Sequence, residues 1–172
     1  ARPIGMQDFE RSRQKKTGDL KVSMHPAYHM WLSTRDMARV GLLMLREGNW
    51  NGRQVVSKEW VRRITSLVTP FHEMNPPYHR SLGSPRRWGY GCMWWVWDAP
   101  NSSGPFVGAY TGIGAGGQYI TVLPQLDLVV AHKVDMQQPR SGASKRVRSV
   151  TGPQYQAILG LLIASYCGAD CP

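Results

Sequence analysis

The chain has 172 residues, 42% hydrophobic and 19% charged, a balance that supports one globular domain with a real core and excludes a disordered chain. Its 21 Lys and Arg against 11 Asp and Glu leave a net charge of +10, with basic clusters at Arg11–Lys16, Arg86–Arg87 and Arg140–Arg148. Such clusters can meet nucleic acid or an anionic envelope surface, but here they fall in Gly/Ser/Pro-rich connectors and read as solvated loops, so no nucleic-acid partner is expected.

In chain order, the opening ARPIGMQDFE lacks the charged start and apolar stretch of a signal peptide; so abrupt a beginning is expected of a mature product or a fragment. Residues 1–32 are expected to be irregular, punctuated by Pro3, Gly5, Gly18 and Pro26. Ser33 then caps a helix, with Asp36 at the third position as in a capping box. Met37, Val40, Leu43 and Met44 form its buried stripe, and Gly48-Asn49 ends it. Asn51-Gly52 marks a tight turn. Gln54 to Val56 is a short extended piece, and Ser57 caps a second helix to about Leu67, with Val61, Ile64 and Leu67 or Val68 inward. Residues 69–87, rich in Pro, His and Arg, read as a long surface loop.

From Trp88 the period becomes two. WGYGCMWWVWD places Trp88, Tyr90, Cys92, Trp94 and Val96 on one face and Met93, Trp95 and Trp97 on the other, which predicts one central strand covered on both sides. Phe106–Tyr110, Gln118–Leu123 and Asp127–Val134 give three more strands, the last two joined as an antiparallel hairpin by the corner Pro124 to Asp127. Gln154–Tyr166 predicts a helix with Ala157, Leu161 and Ala164, or Ile158, Leu162 and Ser165, in line. The longest apolar run, Ala157–Ala164, is far short of the ~20 residues of a membrane span. Helices before and after an antiparallel sheet make an α+β fold.

The three cysteines cannot all pair within the chain, and no zinc-type C-x2-C is present. A Cys167–Cys171 bridge would suit an exported, periplasmic or secreted protein. His25 and His29 have helical metal-ligand spacing, but Pro26 lies between them and no third ligand is near, so they read as surface histidines and no metal is expected. Gly112, Gly114 and Gly117 match G-x-G-x-x-G, yet the β-rich Gln118–Val122 follows where a nucleotide site needs a helix, so no nucleotide cofactor is expected. Ser12-Arg13-Gln14-Lys15 matches the S-x-x-K of serine hydrolases, but its charged neighbours leave the lysine solvated, and the match reads as coincidence.

The glycine-rich stretch Gly108–Pro124 is the remaining candidate site. Acyl transfer needs N–H donors aimed at the developing oxyanion, and a strand edge without bulky side chains supplies one. Gly112 would let the backbone approach a substrate and Ile113 N–H would be the donor. Thr111 could hydrogen-bond a substrate carboxylate or carbonyl, and Tyr110 could orient substrate or relay a proton. A plain β-turn whose glycines only permit positive φ is the simpler reading, and residue chemistry alone favours it.

Four segments in order resemble the C-terminal half of the serine β-lactamase-like family, which includes class C β-lactamases, related esterases, DD-peptidases and 6-aminohexanoate-dimer hydrolases. They are PIGM (Pro3–Met6), LSTRDMARVGLLMLREGNWNGRQVVSKEWV (Leu32–Val61), GYGCMWWVWD (Gly89–Asp98) and GAYTGIGAGGQYITVLPQLDLVVAHK (Gly108–Lys133). The resemblance implies a β-lactamase/transpeptidase-like sheet flanked by helices. It also implies an acyl-enzyme mechanism on a small amide or ester, with no cofactor. Tyr110-Thr111-Gly112 is similar to the family's third motif, Lys/His-x-Gly, and the tyrosine fits the esterase or amide-hydrolase branches better than the β-lactamases. In that family the residue after the motif glycine, here Ile113, donates to the oxyanion. The Ser-x-x-Lys nucleophile and Tyr-x-Asn motifs lie upstream of the PIGM segment in relatives. The resemblance therefore implies a chain inactive alone, completed by an N-terminal companion segment or an oligomer partner. The competing expectation is a non-catalytic binding or interaction module on the same fold.

Overall fold

The computed structural model describes residues 1–19, 21, 24–25, 27–74, 88–98, 102–135, 149–168 and 171. Within the first 32 residues, expected to be irregular, β1 (Lys15–Thr17) pairs antiparallel with β2 (Ala27–His29). Strands of three residues are too short for a period to show in sequence. The base of this hairpin is tied by the Gln14 amide, which donates to the Glu10 and Trp31 carbonyls and accepts from Trp31 N–H at 2.9 Å.

Helix α1 (Thr34–Leu45) starts where expected: the Ser33 hydroxyl accepts the Asp36 N–H at 3.1 Å. The capping box does not form. The fully buried Asp36 carboxylate turns instead to the N-terminal segment and accepts the N–H groups of Gln7 (3.1 Å) and Asp8 (3.0 Å). Met37, Leu43 and Met44 are buried as expected, whereas Val40 is only partly covered. Gly41 lets the helix lie directly on the sheet, since a Cβ there would come within 2.9 Å of Ile120 Cγ2 and closer still to Val129 Cγ1.

β3 (Asn49–Trp50) and β4 (Arg53–Gln54) follow as a tight hairpin, with φ of 50° at Asn51 and 84° at Gly52. Positive φ at both central residues is the turn whose twist matches paired strands. Helix α2 (Lys58–Ile64) is capped by Ser57 but ends before Leu67, and Leu67 and Val68 are exposed rather than inward. The helix ends early because β pairing competes for its C-terminal groups: Ile64 C=O accepts Cys92 N–H at 2.9 Å, and Thr69 N–H donates to Tyr90 C=O at 2.8 Å. Of the expected loop 69–87, residues 75–87 lie outside the described residues.

The run 88–98 is not one strand. It is a hairpin of β5 (Trp88–Tyr90) and β6 (Trp95–Trp97), with Trp88 opposite Trp97 and Tyr90 opposite Trp95. Gly91 N–H donates to Trp94 C=O at 2.8 Å, and Met93 adopts φ 67°. Gly91 is pressed against the end of α2, where a Cβ would stand 2.5 Å from Ile64 O and 2.7 Å from Ser66 O. Cys92 is exposed at this turn, not inside a strand.

The expected strand at Phe106–Tyr110 is also displaced. Gly104–Phe106 forms a 3-10 turn, and β7 runs Tyr110–Gly114, through the glycines read as a turn. The reversal itself is confined to residues 115–117, with positive φ at Gly116 and Gly117. β8 (Gln118–Leu123) and β9 (Leu128–His132) form the predicted hairpin, turning through Pro124–Leu126 and Asp127 at φ 50°.

Strands β5-β6-β7-β8-β9 make one antiparallel sheet in chain order. Alternate residues face opposite layers. Tyr110, Val122, Val96 and Trp94 pack with Met44 and Val61 of α1 and α2. Tyr119, Leu123, Trp88 and Trp97 pack with Tyr155, Leu159 and Ile163 of α3 (Gly152–Cys167). Helices on both faces of an antiparallel sheet are the α+β architecture expected. α3 buries a different stripe from either expected one: Ile158, Leu161 and Leu162 are exposed. Cys167 and Cys171 are disulfide-bonded.

Candidate active site

β7 pairs with β8 along its whole length, Tyr110 opposite Val122 through Gly114 opposite Gln118. On its other side it meets β6 only at Tyr110 and Thr111, opposite Val96 and Trp95. Trp97 N–H donates to Ala109 C=O at 3.0 Å. In an antiparallel strand alternate residues turn both N–H and C=O to the same neighbour. Residues 109, 111 and 113 therefore face β6, while 110, 112 and 114 face β8. Since β6 begins at Trp95, opposite Thr111, no described strand residue continues the ladder opposite Ile113. The Ile113 side chain packs on the α3 side, and its amide, turned to the β6 side, lies past the last residue paired with β6.

Gly112 has ordinary strand geometry and does not need glycine's freedom for a turn. Its missing side chain leaves the strand bare beside Trp94, whose ring would be 3.4 Å from an added Cβ. On this face Gly112 and Gly114 form part of the wall of a cavity of about 810 Å³. β8 adds Gln118 and Ile120, the start of α1 adds Ser33 and Met37, and the β1–β2 region adds Arg13, His29 and Trp31, with Lys133 following β9.

Polar groups surround this space. Lys133 Nζ donates to Leu32 C=O at 2.6 Å, and the Arg13 guanidinium lies 5.8 Å from the Trp31 ring centroid. Gln118 Nε2 donates to Val134 C=O at 2.9 Å, while Gln118 Oε1 and Trp31 Nε1 are buried with no hydrogen-bond partner among the described residues. Ser33 is engaged: beyond capping α1, its hydroxyl donates to Asp8 Oδ2 at 2.6 Å.

The four residues singled out in the sequence form one continuous run, but their side chains do not converge. Tyr110 is buried, its ring edge-on to Trp94 with centroids 5.2 Å apart. Burial pushes its phenol well above the ordinary tyrosine range, and the Glu47 charge adds to this, so it stays protonated. Thr111 is completely buried on the opposite face, its hydroxyl 3.0 Å from that of Thr121. The Thr121 hydroxyl is in turn 2.7 Å from Tyr155 OH. In this chain both the Thr111 hydroxyl and the Tyr110 phenol are enclosed by the protein's own layers. Gly112 lines the cavity, and the Ile113 amide leaves the strand edge.

Sequence reasoning missed Trp31, Trp94, Gln118 and Lys133. The available signals were local: Gln118 opposes Gly114 across the tight β7–β8 turn, and Lys133 closes the apolar run of β9. Ser12 is exposed in a 3-10 turn and Lys15 lies in β1, so the S-x-x-K run does not open a helix. The G-x-G-x-x-G run leads into β8 rather than a helix. Among the described residues no three His, Cys, Asp or Glu side chains are grouped to hold a metal, and no helix is long and apolar enough to cross a membrane.

No family model matches the chain. It is similar to an uncharacterised protein of Alkalihalophilus pseudofirmus, 29% identical over 106 residues that cover 59% of this chain and 29% of the relative. Among solved structures it is similar to a Bacillus anthracis protein provisionally described as a 6-aminohexanoate-dimer hydrolase. That match has 25% identity and a TM-score of 0.49, and covers 78% of this chain and 30% of the other. This chain thus spans less than a third of the length of either.

Proposed function

We propose that the chain is the C-terminal portion of a serine hydrolase acting on an amide or ester through an acyl-enzyme, and that it supplies one wall of the active cleft. In this reading the attacking hydroxyl and its base come from a companion segment or partner chain. The four ordered segments that resemble the serine β-lactamase-like family support it. The observation that carries it is the Ile113 amide, which lies on β7 two residues past Thr111, the last residue paired with β6. A preorganised backbone donor needs no reorganisation as charge develops, and losing one such donor typically costs about 10²–10³ in rate. Gly112 keeps the adjoining face bare enough for substrate backbone to approach.

The uncovered face of α3 supports a companion. Ile158, Leu161, Leu162 and Tyr166 are exposed on a helix that also buries Tyr155, Leu159 and Ile163. A helix apolar on all sides is normally covered on all sides. The second reading, a binding module without chemistry, draws on the inward packing of Tyr110 and Thr111 beside an intact cavity.

The test has two parts. The purified chain is expected to hydrolyse nitrophenyl esters no faster than buffer; robust turnover abolished by Ser12→Ala would overturn the proposal. The coding sequence upstream of Ala1 is expected to hold Ser-x-x-Lys followed by Tyr-x-Asn. An intact gene starting at Ala1, together with a stable monomer, would favour the binding module.

A further inference from the structure

The β1–β2 hairpin is a surface of unusual chemistry. Its described residues 27–30 are all exposed, Tyr28, His29 and Met30 also bordering the cavity beside Gly112, and Met24, Tyr28 and Met30 are exposed by 77%, 69% and 74%. Residues 11–21 carry five cations, Arg11, Arg13, Lys15, Lys16 and Lys21, against the single carboxylate of Asp19. The register interleaves the two chemistries: Lys16 lies opposite Tyr28, with its Nζ 5.8 Å from the ring centroid, and Lys15 lies opposite His29.

Two-stranded ribbons are marginal in water unless a face packs on something. At the base of this one Gln14 and Trp31 join the two strands to each other, and the adjoining Leu32 C=O accepts from Lys133 Nζ of the body. Exposed methionines offer no stacking to bases, so the pattern suits nucleic acid poorly. It suits a lipid interface well: the apolar side chains enter the headgroup boundary, the tyrosine keeps its hydroxyl at the polar layer, and the cations meet anionic headgroups.

We infer that the β1–β2 hairpin is a docking surface for an anionic lipid bilayer, holding the protein peripherally without crossing the membrane. Charge complementarity and the interleaved apolar side chains are the grounds. This inference does not depend on the hydrolase reading.

The test is co-sedimentation of the 172-residue chain with vesicles of phosphatidylcholine alone or with one quarter phosphatidylglycerol. Binding is expected to be at least about tenfold tighter to the anionic vesicles and to weaken with salt. Lys15→Glu/Lys16→Glu should reduce it by about 25-fold or more, at roughly fivefold per cation before reversal is counted. Tyr28→Ser/Met30→Ser should reduce it severalfold with the salt dependence kept. Arg53→Glu/Arg63→Glu removes the same charge from an exposed region elsewhere and should leave most binding intact. Circular dichroism confirms that each variant folds. Equal binding to both vesicle types, equal losses in the hairpin and control charge variants, or an unaffected Tyr28/Met30 variant would each overturn the inference. So would tighter binding to a DNA oligonucleotide than to the anionic vesicles.

Discussion

The Thr121 hydroxyl lies 2.7 Å from the Tyr155 phenol, deep between the sheet and α3, and it also lies 3.0 Å from the hydroxyl of Thr111. This buried chain joins β7, β8 and α3 on the face opposite the cavity. Thr121→Val keeps the shape but leaves two buried hydroxyls without their shared partner, which typically costs about 1–3 kcal/mol. Urea unfolding should show that loss. Thr121→Ser keeps the oxygen and should show a smaller one.

Burial raises the Tyr155 phenol to about 12, with the Thr121 hydrogen bond offsetting part of the shift, and also raises Tyr110. The folded state therefore holds these protons more tightly than the unfolded chain, whose tyrosines ionise near ~10. The stabilisation is complete below pH ~10 and is lost as pH rises through the folded values. For Tyr155 alone the two-unit difference amounts to roughly 2–3 kcal/mol by pH ~12. Phenolate absorbance should show Tyr110 and Tyr155 ionising only as the near-UV circular dichroism collapses. Tyr155→Phe should make stability less sensitive to pH above ~10.

Three glycines separate space from function. At Gly91 an added Cβ would meet the backbone oxygens of Ile64 and Ser66 at 2.5 and 2.7 Å, and backbone cannot step aside. Gly91→Ala should destabilise by at least the ~1–3 kcal/mol usual for overpacking. Gly41→Ala meets the Val129 and Ile120 side chains, which can partly yield, so its cost should be smaller. Gly112→Ala meets Trp94 at an ordinary 3.4 Å and should leave thermal stability within about 1 kcal/mol of the parent, since strand alanine is better tolerated than glycine. Thermal unfolding of the three variants should rank them in that order.

Legibility in the sequence followed the range of the interaction. Ser33 and Ser57 announce helix starts, and Asn51-Gly52 and the Pro124–Asp127 corner announce turns, because each acts on backbone within three residues. The alternation through residues 88–98 hid a hairpin. Trp88 before the turn and Trp97 after it fill the α3 layer and Trp94 the other, and the pressure that bends the chain at Gly91 comes from the distant end of α2. On α3, apolar residues surround the axis, so period alone could not choose among stripes; Tyr155 packing on Tyr119 decides it, with ring centroids 4.0 Å apart. That Gly108–Pro124 joins strands through a glycine turn was visible, but not which way its residues face. Whether Ile113's amide meets a paired strand depends on where β6 begins, and the inward turn of Thr111 depends on Thr121 and Tyr155.

Asp36 ties the N-terminal segment to the start of α1. Its carboxylate is fully buried and accepts the N–H groups of Gln7 and Asp8, with Arg39 Nη1 3.5 Å away. Nothing local in the sequence marks this role, because its partners are 28 and 29 residues away. Asp36→Ala removes the acceptor and leaves the Arg39 charge, itself mostly buried, without its counter-ion. Hydrogen bonds to a charged group are worth about 1.5–3 kcal/mol, so the N-terminal segment should detach before the sheet unfolds. Limited proteolysis should cut the variant first near Met6–Asp8 while the hydrogen-exchange protection of β7 and β8 persists. Asp36→Asn keeps one acceptor oxygen and should fall between variant and parent. If Asp36→Ala is cut no faster than the parent, the N-terminal segment is held by its other contacts and the carboxylate is dispensable.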